Sequence, residues 1–479
     1  MKSHFVDISD IDRSEDTFPE RCSALHYWVR TRFELCGGWL PDLDESYRPR
    51  ALGYYIFDEC LSRELNELGA GLAKLYENIG KRILSSDRQP FNFDKWHLDR
   101  FSPIEISTLM RLLPATSWAT TLRADIVVDK NNHPWIVEVN TDNVGGIEDL
   151  IIMTGYFLNA EVNATRRSLL KRSWSALINT YLAWLDKHFD HSADFVGDDK
   201  NFPGSIHDAT IALVAEDRGS SFALTRVLAA LLRSNGLRVV CCRPEHLTFA
   251  NDILSVPNEL GRGRIPVHVV LKDWLWEEMF DGSVGTMQCW RKSHFEPILN
   301  AVERRKVLLL NPATERILFS KGLLAELTNA SSEFFDLDQE DRSYIEKYIL
   351  PTELLKALPE DIGSEQVIKP VSCSGGKGVI IGSTTTPDKT DPGLSGALKQ
   401  SLWVRQPRIR PEMITTLYQR DLTDRAVKTD LYSVHGIIVY SAPGLRRALA
   451  GVMTRVGPEP VVNFSRGAQI VPGILVGFQ

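Results

Sequence analysis

Two short stretches carry the residue types that polyphosphate chemistry needs. The first is Val367-Ile368-Lys369-Pro370-Val371-Ser372-Cys373-Ser374-Gly375-Gly376-Lys377-Gly378-Val379-Ile380-Ile381, where a strand delivers a lysine, a Ser/Gly loop turns, and a second strand returns. Glycines accept positive φ and let consecutive N–H groups close on phosphate oxygens. Ser374, Gly375, Gly376 and Gly378 are placed for that, and Lys369 adds a point charge. A plain hairpin turn with an incidental lysine explains the same residues, so both readings stand at this stage. The second stretch is Arg123-x-Asp125 followed by Glu138-x-Asn140. These pairs sit on two β-branched runs, LRADIVVD and HPWIVEVN, joined by the turn-rich Lys130-Asn131-Asn132. Alternation along a strand puts each pair on one face, so a hairpin can present two carboxylates, an amide and a guanidinium together. Asp125, Glu138 and Asn140 are hard oxygen ligands of the kind that hold Mg²⁺ along with a nucleotide's phosphates. The plain alternative is a polar, solvated hairpin face. Ile126, Val127, Ile136, Val137 and Val139 would bury the scaffold beneath it.

Two further features suit the same ligand. Lys321 lies at the start of the helical segment SKGLLAELTN, just after Ser320, and is a second phosphate lysine or simply a surface one. The strand LWVRQ ends at Gln406 before Pro407, so its backbone and amide could read an adenine edge, or it is an ordinary strand end.

The elements that must position these residues divide the chain into about three or four units, as 479 residues allow. Residues 1–115 read as mainly helical, with LSRELNELGAGLAKLYENIGKRIL at helix period and prolines at the joints. Residues 116–205 hold the hairpin, a helix from Ile147 and another over about 165–188. Residues 206–311 form a β-α-β unit, with strands at ATIALVAED, LRVVCC, PVHVVLK and KVLLLN, hence a small open parallel sheet. Residues 312–479 supply strands at QVIKP, GVIIG, LWVRQ, DLYSVHGIIVY, LAGVMTR and PVVNF, an antiparallel α+β pattern. The fold class is therefore α/β and α+β in several domains.

Composition narrows the partners. Hydrophobic residues are 43%, charged 24% and aromatic 9%, the proportions of an ordinary soluble globular protein rather than a disordered or fibrous chain. The net charge of −7 argues against sequence-independent binding to nucleic acid. Residues 401–479 nevertheless carry ten Lys and Arg against five acids, a local +5 that is a solvated face or part of a polyphosphate pocket. The seven cysteines form no C-x-x-C pair, the N-terminus lacks an apolar leader, and no uncharged apolar run nears the ~18 residues of a membrane span. Cytoplasmic residence with no membrane contact is the expectation, and no motif speaks to oligomeric state.

Lys321, Lys369 with its loop, the 403–406 strand and the R-x-D…E-x-N hairpin together resemble the ATP-grasp fold, in which two α+β lobes clamp ATP. The E-x-N element here precedes the Gly loop, an order similar to that of the circularly permuted ATP-grasp family of glutathionylspermidine synthase-like, peptide-forming amide ligases. That resemblance implies a pre-ATP-grasp domain at 206–311 and a closing set of Asp430, Gly436, Arg455 and Asn463. Arg466 and Gly467 stand where a double glycine would be expected. The N-terminal region shows no amidase pattern.

The activity implied is an ATP-dependent carboxylate-amine ligase that makes an amide through an acyl phosphate and releases ADP and phosphate. Asp125, Glu138 and Asn140 would hold Mg²⁺, and Lys321 and Lys369 would grip phosphates, with the Ser374, Gly375, Gly376 and Gly378 loop closing over them. Arg123 and Arg455 would be the catalytic arginines. The partners would be a small carboxylate and an amine, with Arg218 a candidate for the carboxylate and Glu148 or Asp149 for the amine's base. A phosphotransferase that releases phosphorylated product, or an ATP-binding scaffold without activity, remain the competing readings.

Overall fold

The structure, a computed structural model, describes residues 3–7, 51, 53–84, 108, 112, 121–142, 144–192, 196, 202–215, 220–258, 261, 263–274, 292–329, 337–359, 362–371, 376, 378–382, 402–418, 427–442, 444–445, 448–462 and 468–477. Its largest sheet runs in the order His4–Asp7, Gly53–Phe57, Gln469–Leu475, Leu449–Gly457, Val427–Tyr440, Thr121–Val128, Pro134–Asn140. Met413–Tyr418 pairs beside the first half of Val427–Tyr440. The hairpin is closed as its sequence predicts: Asp129 Oδ1 accepts from the backbone N–H of Asn131 and His133, and Asn132 takes the left-handed φ of 65°. The hairpin and the C-terminal strands, distant in the chain, are thus neighbours in one sheet.

Both faces of that sheet are covered. Helix Glu59–Leu84 buries Leu61, Leu65, Leu68, Leu72, Leu75 and Ile79, spaced by three, four and seven, against Ile437 and Val439 on one side. Each such side chain withdrawn from water is worth roughly 1.5–3 kcal/mol. On the other side, helices Ile147–Ala160 and Ala164–Asp190 set Ile147, Leu150, Leu177 and Trp184 against Ile438 and Tyr440. Successive residues of one strand therefore feed opposite cores.

A smaller parallel sheet, in the order Leu308–Leu310, Val269–Asp273, Thr210–Ala215, Arg238–Cys242, stands where the β-α-β pattern placed it. Helix Ser220–Ser234 makes the crossover. A third sheet, Glu353–Leu355, Trp403–Pro407, Gln366–Pro370, Ile380–Ile381, carries Lys369 and Gln406 and is antiparallel throughout. No helix among the described residues is long and apolar enough to cross a membrane.

Three elements differ from expectation. The N-terminal region contributes not only its long helix but two strands, His4–Asp7 and Gly53–Phe57, to the main sheet. The last strand is Gln469–Leu475; the PVVNF segment is irregular as far as Val462, and Asn463 and Phe464 lie outside the described residues. A three-stranded meander, Thr248–Ala250, Ile253–Pro257 and Arg264–Pro266, adjoins the parallel sheet.

Candidate active site

The site grows from the register of the hairpin. Arg123 lies directly opposite Asn140, and Asp125 opposite Glu138, so all four side chains start from one face. Val427–Tyr440 flanks the other edge, with Gly436 opposite Asp125. A Cβ on Gly436 would stand 3.1 Å from Arg123 Cδ and 3.0 Å from Met453 Cγ, so a larger residue there would press on the arginine and shift it by a few tenths of an ångström. Arg455 enters from the next strand, Leu449–Gly457.

Asp125, 5% exposed, is gripped by both arginines. Arg123 Nε donates to its Oδ1 at 3.0 Å and Arg455 Nη2 to its Oδ2 at 2.7 Å. Asn140 Nδ2 adds a bond to Oδ2 at 3.3 Å. Burial alone would push this carboxyl up; the two guanidiniums outweigh it and hold it below the usual carboxylate range. Arg123 Nη1 also donates to the Gly145 carbonyl at 2.9 Å, which ties the hairpin to the turn before helix Ile147–Ala160.

Glu138 meets Lys321 at 3.0 Å. Lys321 is the first residue of helix Lys321–Thr328, after the Ser320 cap, and is buried. A cation there opposes the helix dipole, so its placement stabilises something other than the helix. Lys369 Nζ donates to the Val137 carbonyl at 3.1 Å, and Gln406 Nε2 donates to the same oxygen at 3.2 Å. Burial, the dominant influence, lowers the Lys369 ammonium to about 8 against the pull of Glu138 and Asp125.

The structure thus gathers Arg123, Asp125, Glu138, Asn140, Lys321, Lys369 and Arg455 in one place. Gln406 joins them in a different capacity. It is 2% exposed, its amide nitrogen is committed to Val137 and to Thr352 Oγ1 at 2.9 Å, and its strand is paired on both sides. It braces the Lys369 sheet against the hairpin rather than offering an adenine a free edge. Gly376 and Gly378 have left-handed φ of 69° and 71°, the conformation a close-approach loop requires. Ser374 and Gly375, with Arg218, Asn463, Arg466 and Gly467, lie outside the described residues. Asp430 is exposed and accepts a hydrogen bond from Thr415 Oγ1 on the neighbouring strand. Thr352, which holds Gln406, and the buried Lys272–Asp142 pair, at 2.7 Å, escaped sequence reasoning; no motif flags either.

Four cations and two carboxylates converge here, a surplus of two positive charges. One donor, Arg455 Nε, is buried with no hydrogen-bond partner among the described residues. Buried donors seldom go unpaired, and this one suits an anion. The oxygen donors fit Mg²⁺ in part. Glu138 uses Oε1 for Lys321, and Asn140 turns its nitrogen to Asp125, so Glu138 Oε2 and Asn140 Oδ1 remain for a cation that also takes water and phosphate oxygens. Asp125, with an arginine on each oxygen, fits the role less well.

The whole chain has a counterpart among solved structures. Its fold is similar to that of a glutathione synthetase-like effector from Globodera pallida, solved in its apo form. The TM-score is 0.60 at 11% identity, over 98% of this chain and 100% of the other. The likeness is one of fold. No protein-family model and no curated protein matches the sequence.

Proposed function

We propose that the chain is an ATP-grasp ligase of the circularly permuted kind, which joins a small carboxylate to an amine with release of ADP and phosphate. The observation that carries this reading is the buried, net-positive cluster of Arg123, Arg455, Lys321 and Lys369 around Asp125 and Glu138, in which Arg455 Nε has no partner among the described residues. Phosphoryl transfer asks a protein mainly for position and neutralising charge. Lys369 and Lys321 would hold the phosphates, and Gly376 and Gly378 would let the loop close on them. Glu138 and Asn140 would hold Mg²⁺, which would supply charge neutralisation at the transferred phosphoryl group. Arg123 and Arg455 would face the charge that develops on phosphoryl and acyl oxygens, each kept in place by Asp125. The fold likeness to a glutathione synthetase-like protein supports amide formation as the outcome.

The test is a matrix of amino acids and small acids with amines, scored for ADP and followed by phosphorus NMR. Inorganic phosphate with a new amide in the mass spectrum is the expected result. A phosphorylated product would make the protein a phosphotransferase, and tight MgATP binding with no ADP from any pair would make it a scaffold.

Lys369 gives the site a pH signature. Phosphates favour its charged form, so nucleotide binding above about 8 must take up a proton there. MgATP affinity is expected to weaken as pH rises through that value, and to do so less in Lys369→Arg, which stays charged. Calorimetry in buffers of different ionisation enthalpy reads the proton uptake directly.

A further inference from the structure

Beside the cluster lies an ionic contact buried more deeply than any within it. Lys272 Nζ donates to Asp142 Oδ1 at 2.7 Å, and both side chains are 0% exposed. Lys272 Nζ also donates to the Trp274 carbonyl and lies 5.6 Å from the centre of the Trp274 ring. The proposed phosphoryl chemistry uses neither charge. Lys272 stands near the carboxyl end of Val269–Asp273, an interior strand of the parallel sheet, and Asp142 comes two residues after the hairpin strand Pro134–Asn140. The pair therefore joins two units of the fold.

It is one of three pins on consecutive residues. Asn140 Nδ2 donates to Asp125 Oδ2 at 3.3 Å, Thr141 Oγ1 donates to the Glu315 carbonyl, and Asp142 accepts from Lys272. All three residues are buried, and their partners come from three elements: strand Thr121–Val128, helix Ala313–Leu318 and strand Val269–Asp273. A second path closes a ring. The Lys272 carbonyl accepts from Asn311 Nδ2 at 3.1 Å, and Asn311 Oδ1 accepts from Thr121 Oγ1 at 2.8 Å. Thr121 lies two residues before Arg123, on the same face of its strand. Bonds thus run from the strand of Arg123 and Asp125 through Asn311 and Lys272 to Asp142, and return through Asn140.

Stability is a poor account of a pair this deep. Taking two charges out of water costs about as much as their attraction returns, and well-packed apolar residues of similar volume commonly serve as well or better. What such a pair adds is a single placement of its two ends, where apolar packing tolerates several. We propose that Lys272 and Asp142 are positioning residues, which fix the end of the hairpin so that Asn140 meets Asp125 and keeps its amide oxygen where a divalent cation would take it. The cation in that statement rests on the ligase reading above; the pinning of Asn140 does not.

Asp142→Val with Lys272→Met replaces the pair by apolar side chains of similar total volume, and the full chain carrying both should unfold in urea near the parent's midpoint. The side-chain amide resonances of Asn140, assigned by their loss in Asn140→Asp, report its contact with Asp125 without metal or nucleotide. They are expected to move toward the positions of exposed amides in the double variant. Mn²⁺, followed by the EPR signal of the free ion, should bind the variant about tenfold or more weakly, the scale on which partners behind a metal ligand act. An unmoved Asn140 amide in the folded double variant overturns the proposal, and so does parental Mn²⁺ affinity where the parent binds the ion. Should the double variant fail to fold, Asp142→Asn, which keeps the shape and drops the charge, is read in the same two ways. A parent that binds no Mn²⁺, with an Asn140 amide that moves in the variant, keeps the positioning role and sinks the metal reading. A parent that binds Mn²⁺ and releases ADP, with an amide and an affinity unmoved in the variant, does the reverse.

Discussion

Lys369→Ala is expected to abolish amine-dependent ADP release in a protein that still folds. The loss should be at least ~10²-fold, the scale of removing one preorganised charge-stabilising group from an active site. The folding half of the expectation comes from the same burial that lowers the ammonium to about 8. A charge held out of water is a burden to the native state, offset here only in part by the attraction of Glu138 and Asp125 and by one bond to the Val137 carbonyl, which keeps its second donor from Gln406 when the lysine is removed. Lys369→Met, closer in volume, should be no less stable than the parent by urea unfolding. A lysine kept for stability would behave the other way, with a large fall in unfolding free energy and activity lost only in proportion to unfolded protein. Glu138→Ala extends the argument: it removes the carboxylate that pairs with Lys321 and is proposed to hold Mg²⁺. Its activity should fall as far, and raising Mg²⁺ should recover little of it. Near-parental turnover in either variant would sink the site assignment.

How far the sequence foretold this depends on what kind of signal each part left. The hairpin was legible because its turn, its β-branched runs and its polar pairs agree with one another at period two, and register then placed Asp125 against Glu138. The four parallel strands were legible as short apolar runs around a helix of the right length. Gly53–Phe57 was not, because five consecutive buried residues have no alternation to distinguish a strand from a piece of helix. Gln469–Leu475 was hidden by Pro472 and Gly473, which ordinarily speak against an interior strand. At the site, residue types were readable but pairings were not. Nothing local in the sequence says that both oxygens of Asp125 are taken by arginines, or that Gln406 faces Val137 and Thr352. Those contacts are set by how the sheets meet, and for Asp125 and Gln406 they favour positioning roles over ligand roles.

Asp125→Asn tests the more consequential of those two changes. As a metal ligand, Asp125 would contribute chiefly to Mg²⁺ affinity; as the anchor of two guanidiniums, it would contribute chiefly to stability and to their aim. The geometry favours the anchor, since Arg123 at 3.0 Å and Arg455 at 2.7 Å occupy different oxygens of a carboxylate that is almost wholly buried. Removing the negative charge leaves two poorly hydrated cations facing each other, and breaking a buried pair in this way costs about 3–5 kcal/mol. The pH dependence has a definite sign. Its folded-state pKa is depressed, so the stabilisation is present above the ordinary aspartate value and is lost as pH falls through the lower, folded one. Acid unfolding of the parent should therefore include a step that Asp125→Asn lacks. Adding Arg455→Met to Asp125→Asn should restore part of the stability, because the surplus cation goes with it. A large loss of Mg²⁺ affinity at unchanged stability would return Asp125 to the metal. A large loss of stability at nearly unchanged Mg²⁺ affinity would leave Glu138 and Asn140 as the protein's share of that site.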